Sequence, residues 1–481
     1  MLTIKALTRA LLDLGVAPGG VLVLHSSVVS LGPVEKGPEG IIQAFLEALG
    51  PEGTLVVPVF GKLGVITELV RARKDAVVSD APVGTLAAVG KKARKLMAGH
   101  LKADTAHGKG SPYVRIAQEG GQICLLGVDL DRNTMLHSVE ALLDLPYLRT
   151  VQTTSRDKKG KEVTRSWRCY PGPHRDFIGL DYLLRQAGIM QVGRIGNAQV
   201  RLLDAAAMMD CLQEVGTEDP AFALCRNPSC RDCVLQRAAI RRSLFARESF
   251  RLAASSRLCG RYLPEMVEHL QEAGIDAIEL DYLQGRPMAF LPGASLKKAV
   301  AELQEAGITV TGLRVPSLSG DVARSAATWR EAGISRIVLP LSALAFTAPE
   351  SLSLLAQAGL QVLLSNQSAD AQRTREALAR LFPEGGQVLA FSPVEFLRCG
   401  EHPFLQSWRL GRFIHTIGQL DLTDAQEDGT PARLAQGNGE VKELLSILRC
   451  ANFSGDVVLG GGAVYPGTLQ EAVEQLYQFL E

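Results

Sequence analysis

Residues 271–283 read QEAGIDAIELDYL. A polar helix end, a glycine at Gly274 and an apolar run follow one another without a spacer. Glycine suits the left-handed residue that closes a helix, and the apolar run after it suits a buried strand. The same pattern returns three times, as EAGITVTGL at 305–313, EAGISRIVLP at 331–340 and QAGLQVLL at 357–364. Further apolar runs at 250–254, 387–391, 417–422 and 456–459 bring the strands to eight. Eight strands with helices between them, over about 230 residues, predict a (β/α)8 barrel across 244–481.

Upstream, residues 1–210 alternate strands and helices without that repeat and predict a separate α/β domain. Strands are expected at Gly20–His25, Gly53–Phe60 and Gln122–Leu130. Gly37, Pro38 and Glu39 open a helix, with proline in its first turn. The alanines and lysines of Gly84–His100 predict another helix. Ser155–Ser166 is charged and reads as a solvated turn or hairpin. Between the two domains, 211–243 forms a cysteine-rich linker. Its arginines (Arg226, Arg231, Arg237, Arg241 and Arg242) predict a solvated helix rather than a nucleic-acid patch.

The chain has 481 residues, a formal net charge of zero and 46% hydrophobic residues. That is enough for two cores, and it gives no broad attraction to nucleic acid or a membrane surface. The first 20 residues read as an amphipathic helix, not a secretion signal, and no apolar run reaches the ~20 residues of a membrane span. Nine cysteines, scattered and odd in number, argue against a disulfide framework. The expectation is a cytoplasmic protein with a small-molecule substrate.

Chemistry concentrates between His107 and Glu140. The segment runs HGKGSP (107–112), then GQICLLGVDL (121–130), then DRNTMLHSVE (131–140). A helix starting at Asn133 or Thr134 would set His137 and Glu140 one turn apart on one face. A histidine oriented by a carboxylate is a general base near neutral pH. His107 lies among glycines whose backbone amides suit an anion or a developing oxyanion. The hydroxyl-rich loop Ser26, Ser27, Ser30, Gly32 follows a strand and precedes a helix, which suits a phosphate- or amide-bearing cofactor. Neither GxxxxGK[ST] nor GxGxxG occurs there.

In this order the pieces resemble the aminoglycoside 3-N-acetyltransferase family. The matching segments are LVLHSSVVSLG (22–32), ALGPEGTLVVPVF (48–60), GKGSPYVRI (108–116), GGQICLLGVDLDRNTMLHSVE (120–140) and GRIGNAQVRLLDA (193–205). The resemblance implies direct transfer of an acetyl group from acetyl-CoA to a substrate amine. It implies catalysis by His137, oriented by Glu140, with His107 beside them. It also places the pantetheine arm and thioester on Ser26, Ser27, Ser30, Gly32, Gly110 and Ser111. The chain departs from the family pattern after the second strand, at Val59, Gly61 and Asp80–Thr85, where an acceptor would bind. Asp104 is a candidate for recognising the amine.

Cys225, Cys230 and Cys233 have the spacing of a metal site, and a structural zinc needs one more ligand. Cys211, Cys169 and His174 are the candidates. The same spacing occurs in plant-type iron–sulfur proteins; zinc is preferred here.

The C-terminal half resembles the sugar isomerase and endonuclease-IV-like barrels, through AGIDAIELDYL (273–283), FSPVEFLRCGEHPF (391–404), IGQLDLTDA (417–425) and GNGEVKELLSILRCANFSGDVVLGGG (437–462). Where those barrels carry metal-binding carboxylates and a histidine, this chain has Ser365, Ser392, Asp421 and Gly460. Serine and glycine do not replace carboxylates for a hard cation. The expectation is a barrel without metal catalysis that binds, scaffolds or forms a homodimer. Glu279, Asp281, Glu395, Asp421 and Asp424 remain as polar groups for a sugar. Two further readings stand beside acetyl transfer: a non-catalytic carbohydrate-binding or regulatory fusion, and a bifunctional enzyme whose barrel processes the same sugar.

Overall fold

The computed structural model describes residues 1–61, 64–156, 161–170, 174–318, 320–344, 348–405 and 413–480. The chain divides into two units, Met1–Gln236 and Arg237–Glu481. The break falls inside a single helix, Arg231–Phe245. The 211–243 segment is therefore not a solvated linker. Its arginines at 226, 231 and 242 are exposed, yet Cys233, Ala238, Ile240 and Phe245 are buried. An apolar stripe on an Arg-rich helix packs whatever its opposite face carries.

The first unit is built on β1 (Val21–Ser26), β2 (Thr54–Pro58), β3 (Val77–Val78), β4 (Leu86–Gly90), β5 (Gln122–Leu126), β8 (Met190–Ile195) and β9 (Ala198–Asp204), with a separate hairpin of β6 (Arg149–Arg156) and β7 (Glu162–Cys169). The sheet order is β3-β4-β2-β1-β5-β9-β8. β1 is parallel to β2 on one side and to β5 on the other, and the outer strands are antiparallel. The β1 sequence VLVLH is buried throughout, as expected of a strand covered on both faces.

One expectation is corrected here. Gly84–His100 is not one helix: its first half is strand β4, and only Ala93–Met97 is α-helical. Leu86–Val89 are buried between β2 and β3, and that pairing overrides the helix preference of the alanines. The charged 155–166 segment belongs to the β6/β7 hairpin, whose Trp167 is buried; residues 157–160 lie outside the described ones. The helix at Gly37–Leu49 starts as predicted, with proline in its first turn.

The second unit is a closed barrel of eight parallel strands: Arg251–Ser255, Ala277–Leu280, Thr309–Arg314, Arg336–Pro340, Gln361–Ser365, Leu389–Phe391, Ile417–Leu422 and Asp456–Leu459. The four repeated glycines, Gly274, Gly307, Gly333 and Gly359, all have positive φ at helix ends. Inside the barrel, Arg314 bonds Glu279 Oε1 at 2.8 Å and Asp421 Oδ1 at 2.7 Å. Gln419 Nε2 donates to both carboxylates, at 2.7 and 2.8 Å. All four residues are buried.

One guanidinium between two buried carboxylates leaves an excess negative charge. Burial pushes Asp421 up to about 6; Arg314 opposes the shift and the Glu279 charge adds to it. A carboxyl raised on folding favours the fold while protonated, and that contribution is lost as pH rises through about 6. The loss amounts to about 3 kcal/mol at most. Asp421→Asn keeps the acceptor for Arg314 and removes the charge. We expect its urea-unfolding free energy, relative to wild type, to improve between about pH 5 and about pH 8. A difference that does not change with pH over that range rules this account out.

Candidate active site

Ligands of open α/β sheets bind at the carboxyl ends of the strands, where the chain leaves the sheet in opposite directions. Here that place is between β1 and β5. Ser26 ends β1, Ser27 and Ser30 stand on the short helical turn that follows it, and the loop after β5 leads to His137. Ser30 lies so close to Gly127 that a Cβ on Gly127 would sit 1.6 Å from its Oγ, and Gly127 has φ +67°. Ser27 N donates to Leu126 O at 2.9 Å, fastening the two loops together. Ser30 Oγ donates to Ser27 O at 2.6 Å, and the amides of Ser30 and Gly32 bond to Ser27 O and Val29 O. Much of this loop's polarity is spent on its own shape.

The helix holding His137 starts later than the spacing suggests, at Leu136 rather than at Asn133 or Thr134. Asn133 instead closes a turn: its side chain accepts from Met135 N at 3.1 Å and its carbonyl from Leu136 N at 3.1 Å. His137 and Glu140 still share one face of Leu136–Leu142. His137 Nδ1 lies 2.6 Å from Glu140 Oε2. Glu140 Oε1 accepts from Tyr147 Oη at 2.8 Å and from Arg175 Nε at 2.6 Å. Both carboxylate oxygens are thus occupied, and Glu140 is fully buried.

Burial alone would raise the Glu140 carboxyl. The hydrogen bond and charge of His137 and the Arg175 guanidinium outweigh it and hold the group below its ordinary value. An ionised Glu140 accepts at Oε2, so Nδ1 of His137 carries a proton and Nε2 is the ring nitrogen left for another partner. The His137 side chain is 23% exposed, against none for Glu140. Tyr170 stacks on the imidazole (centroids 4.2 Å apart, 19° between planes) and donates to the His137 carbonyl at 2.6 Å. Phe177 meets the ring edge-on at 5.2 Å.

His107 is brought beside His137, with ring centroids 5.6 Å apart, and packs on Tyr113 at 4.2 Å. It is buried, and neither ring nitrogen has a hydrogen-bond partner among the described residues. Burial pushes its pKa well below the ordinary value, and the neighbouring His137 adds to the shift. Two amides of this segment are spent internally: His107 N donates to Thr105 Oγ1 and Ser111 N to Gly108 O. Ser111 is buried and caps the helix Pro112–Gln118, accepting from Val114 N at 3.4 Å. Gly110 has φ +81° with open space around it. Asp104 is exposed, and its carboxylate accepts from Thr105 N.

Sequence reasoning missed Arg175, Tyr147, Tyr170 and Phe177. Arg175 lies 35 positions from Glu140 and Tyr170 33 positions from His137, so no local spacing announces them. The cysteines at 225, 230 and 233 do come together, and His174 is the fourth member; one ligand atom from each lies within 4.8 Å of the others. Cys169 and Cys211 are not in that group. In the barrel, Ser365, Ser392 and Gly460 stand at strand ends, while Asp421 is engaged by Arg314.

The aminoglycoside 3-N-acetyltransferase family model matches residues 23–62 and 60–216. Aminoglycoside N(3)-acetyltransferase IV from a Salmonella species is 34% identical over 209 residues, covering 40% of this chain and 79% of that protein. Aminoglycoside N(3)-acetyltransferase VII from Streptomyces paromomycinus is 29% identical over 255 residues, covering 42% of this chain and 88% of that one. The apoenzyme crystal structure of aminoglycoside acetyltransferase AAC(3)-IVa aligns at 30% identity with a TM-score of 0.45, covering 50% of this chain and 98% of that chain.

The buried Glu140–Arg175 pair sets a stability test. Glu140→Ala leaves a buried guanidinium without its carboxylate, which costs about 3–5 kcal/mol. Adding Arg175→Met to that variant removes the orphaned charge and should recover part of the loss, read by urea unfolding. A double variant less stable than Glu140→Ala alone argues against the pairing.

Proposed function

The chain belongs to the aminoglycoside 3-N-acetyltransferase family and is an acyltransferase; from that premise we propose that its first unit moves the acetyl group of acetyl-CoA directly onto an amine of an amino sugar or aminoglycoside-like substrate. The observation that supports this most is the fully occupied Glu140 carboxylate behind His137. It leaves His137 Nε2 as the basic nitrogen, on a partly exposed ring.

In this reading the substrate amine attacks the thioester carbonyl and His137 Nε2 takes its proton. The new C–N bond forms, the C–S bond breaks, and the coenzyme leaves as a thiolate that is then protonated. The imidazolium formed on the way is stabilised by Glu140, which its hydrogen bond to His137 and the Arg175 guanidinium keep ionised. Tyr170 and Phe177 fix the ring plane, so Nε2 has one direction in which to act. His107, held neutral, serves as a hydrogen-bonding partner rather than as a second base. Ser26, Ser27, Ser30, Gly32, Gly110 and Ser111 line the path of the pantetheine arm, and Asp104 is available to an ammonium group. Nine cysteines, scattered along the chain and odd in number, suit a reducing cytoplasm. Among the described residues, no helix is long and apolar enough to cross a membrane.

For the barrel we propose a non-catalytic binding role. Arg314 sits between Glu279 and Asp421, where a cation would otherwise be needed to neutralise them. An internal guanidinium makes a divalent ion at that place redundant.

The test is release of free thiol from acetyl-CoA across a panel of aminoglycosides and simpler amino sugars. His137→Ala should lower kcat by about 10²–10⁴ while coenzyme binding, read by calorimetry, stays near wild type. Turnover like wild type in that variant would remove the assigned role of His137.

A further inference from the structure

We propose that His174, Cys225, Cys230 and Cys233 form a structural zinc site whose task is to hold Arg175 on Glu140, and through it His137 in its working orientation. The second half of this proposal rests on His137 being the general base.

The geometry of the four side chains fits a tetrahedral ion. One ligand atom from each lies within 4.8 Å of the rest. His174 Nδ1 is 3.4 Å from Cys233 Sγ and 3.3 Å from Cys230 Sγ. Around a zinc with Zn–S about 2.3 Å and Zn–N about 2.0 Å, sulfur and nitrogen sit about 3.5 Å apart. Closing the site therefore needs only small movements. Three cysteines and one histidine form a closed coordination shell, the kind that stabilises structure rather than activating water.

The local fold explains why these four residues meet. Cys230 and Cys233 lie at the start of Arg231–Phe245, and Val234 N donates to Cys230 O, so the two thiols project from one face of the first turn. Thiolates there also meet the favourable end of the helix dipole. Asp232 in the same turn accepts from His174 N at 3.3 Å. Residues 174–176 are therefore already laid along this turn and the loop before it, since Asp176 N donates to Ala223 O at 2.8 Å.

What the site would do follows from its neighbour in sequence. Arg175 comes directly after the ligand His174, is buried, and donates to Glu140 at 2.6 Å and back to the His174 carbonyl at 2.7 Å. Its guanidinium also lies over the Tyr147 ring at 5.2 Å. Phe177, two residues further on, holds the edge of His137. A metal bound at His174 thus fixes the start of the segment that supplies both supports of the catalytic pair. Arg175 is a positioning residue here, because it touches Glu140 and not the reacting atoms.

The experiment uses the full chain, purified under reducing conditions without chelator. Elemental mass spectrometry should find about one zinc per chain, lost in Cys233→Ser and in His174→Ala. Iron in its place, or no zinc after reloading with zinc salt, overturns the site whatever the protein catalyses. For the coupling, chelator-stripped protein should show kcat reduced about 10- to 100-fold with KM for acetyl-CoA nearly unchanged, restored by adding zinc. Hydrogen exchange at residues 174–177 should rise in the stripped form. His174→Cys, which keeps a four-ligand shell, should keep both zinc and kcat. Zinc that is bound but removable with no change in kcat or in exchange overturns the positioning role. Absence of transferase activity with every acceptor counts against the reaction proposed above, and the exchange measurement then still decides whether the metal holds the segment.

Discussion

Glu140 is a negative charge placed where water does not reach, and the first unit is arranged around keeping it ionised. Desolvation works against that charge. Three donors from three stretches of chain answer it: His137 from its own helix, Tyr147 just beyond, and Arg175 from a distant segment. A carboxylate with both oxygens occupied by fixed donors cannot rotate or take up a proton cheaply, so it fixes the imidazole in one tautomer. The barrel contains the opposite case. Glu279 and Asp421 share one guanidinium and one amide, and the deficit of positive charge appears as a raised Asp421. The two units bury acids by the same rule and differ in how many donors they supply.

The sheet gives that charge its location. β1 and β5 are neighbours and parallel, but the chain leaves them in different directions, which opens space at their carboxyl ends. Gly127 then lets the two loops close on each other, because any side chain there would meet Ser30. The loop amides of Ser27, Ser30 and Gly32 are consumed in building this corner. The corner is therefore a preformed wall whose shape is set by internal hydrogen bonds.

Much of this was legible in the sequence where the signal is local. The glycine-to-strand repeat at 274, 307, 333 and 359 fixed the barrel because helix closure and strand burial are short-range events. The His137–Glu140 spacing survived even though the helix starts at Leu136, since a shift of the start does not alter which residues share a face. What failed was non-local. Leu86–Val89 read as helix because alanine favours helix locally, whereas pairing with Val56 and its neighbours decided otherwise. Arg175 gave no signal, because its partner stands 35 residues away. Similarly, the spacing of three cysteines suggests a common ligand set, but only the fold brings His174, rather than Cys169 or Cys211, to them.

The pair of histidines shows why proximity alone does not assign a base. His107 and His137 stand edge to face at 5.6 Å, and burial, with His137 beside it, pushes His107 well below its ordinary value. Among the described residues neither ring nitrogen of His107 has a hydrogen-bond partner, and burial favours its neutral form. His137 has Glu140 against Nδ1 and a partly exposed ring. A counter-charge therefore stands against one ring of the pair and not against the other. His107 instead packs its ring on Tyr113, with centroids 4.2 Å apart, so its place in the cluster is set by packing rather than by a charge partner.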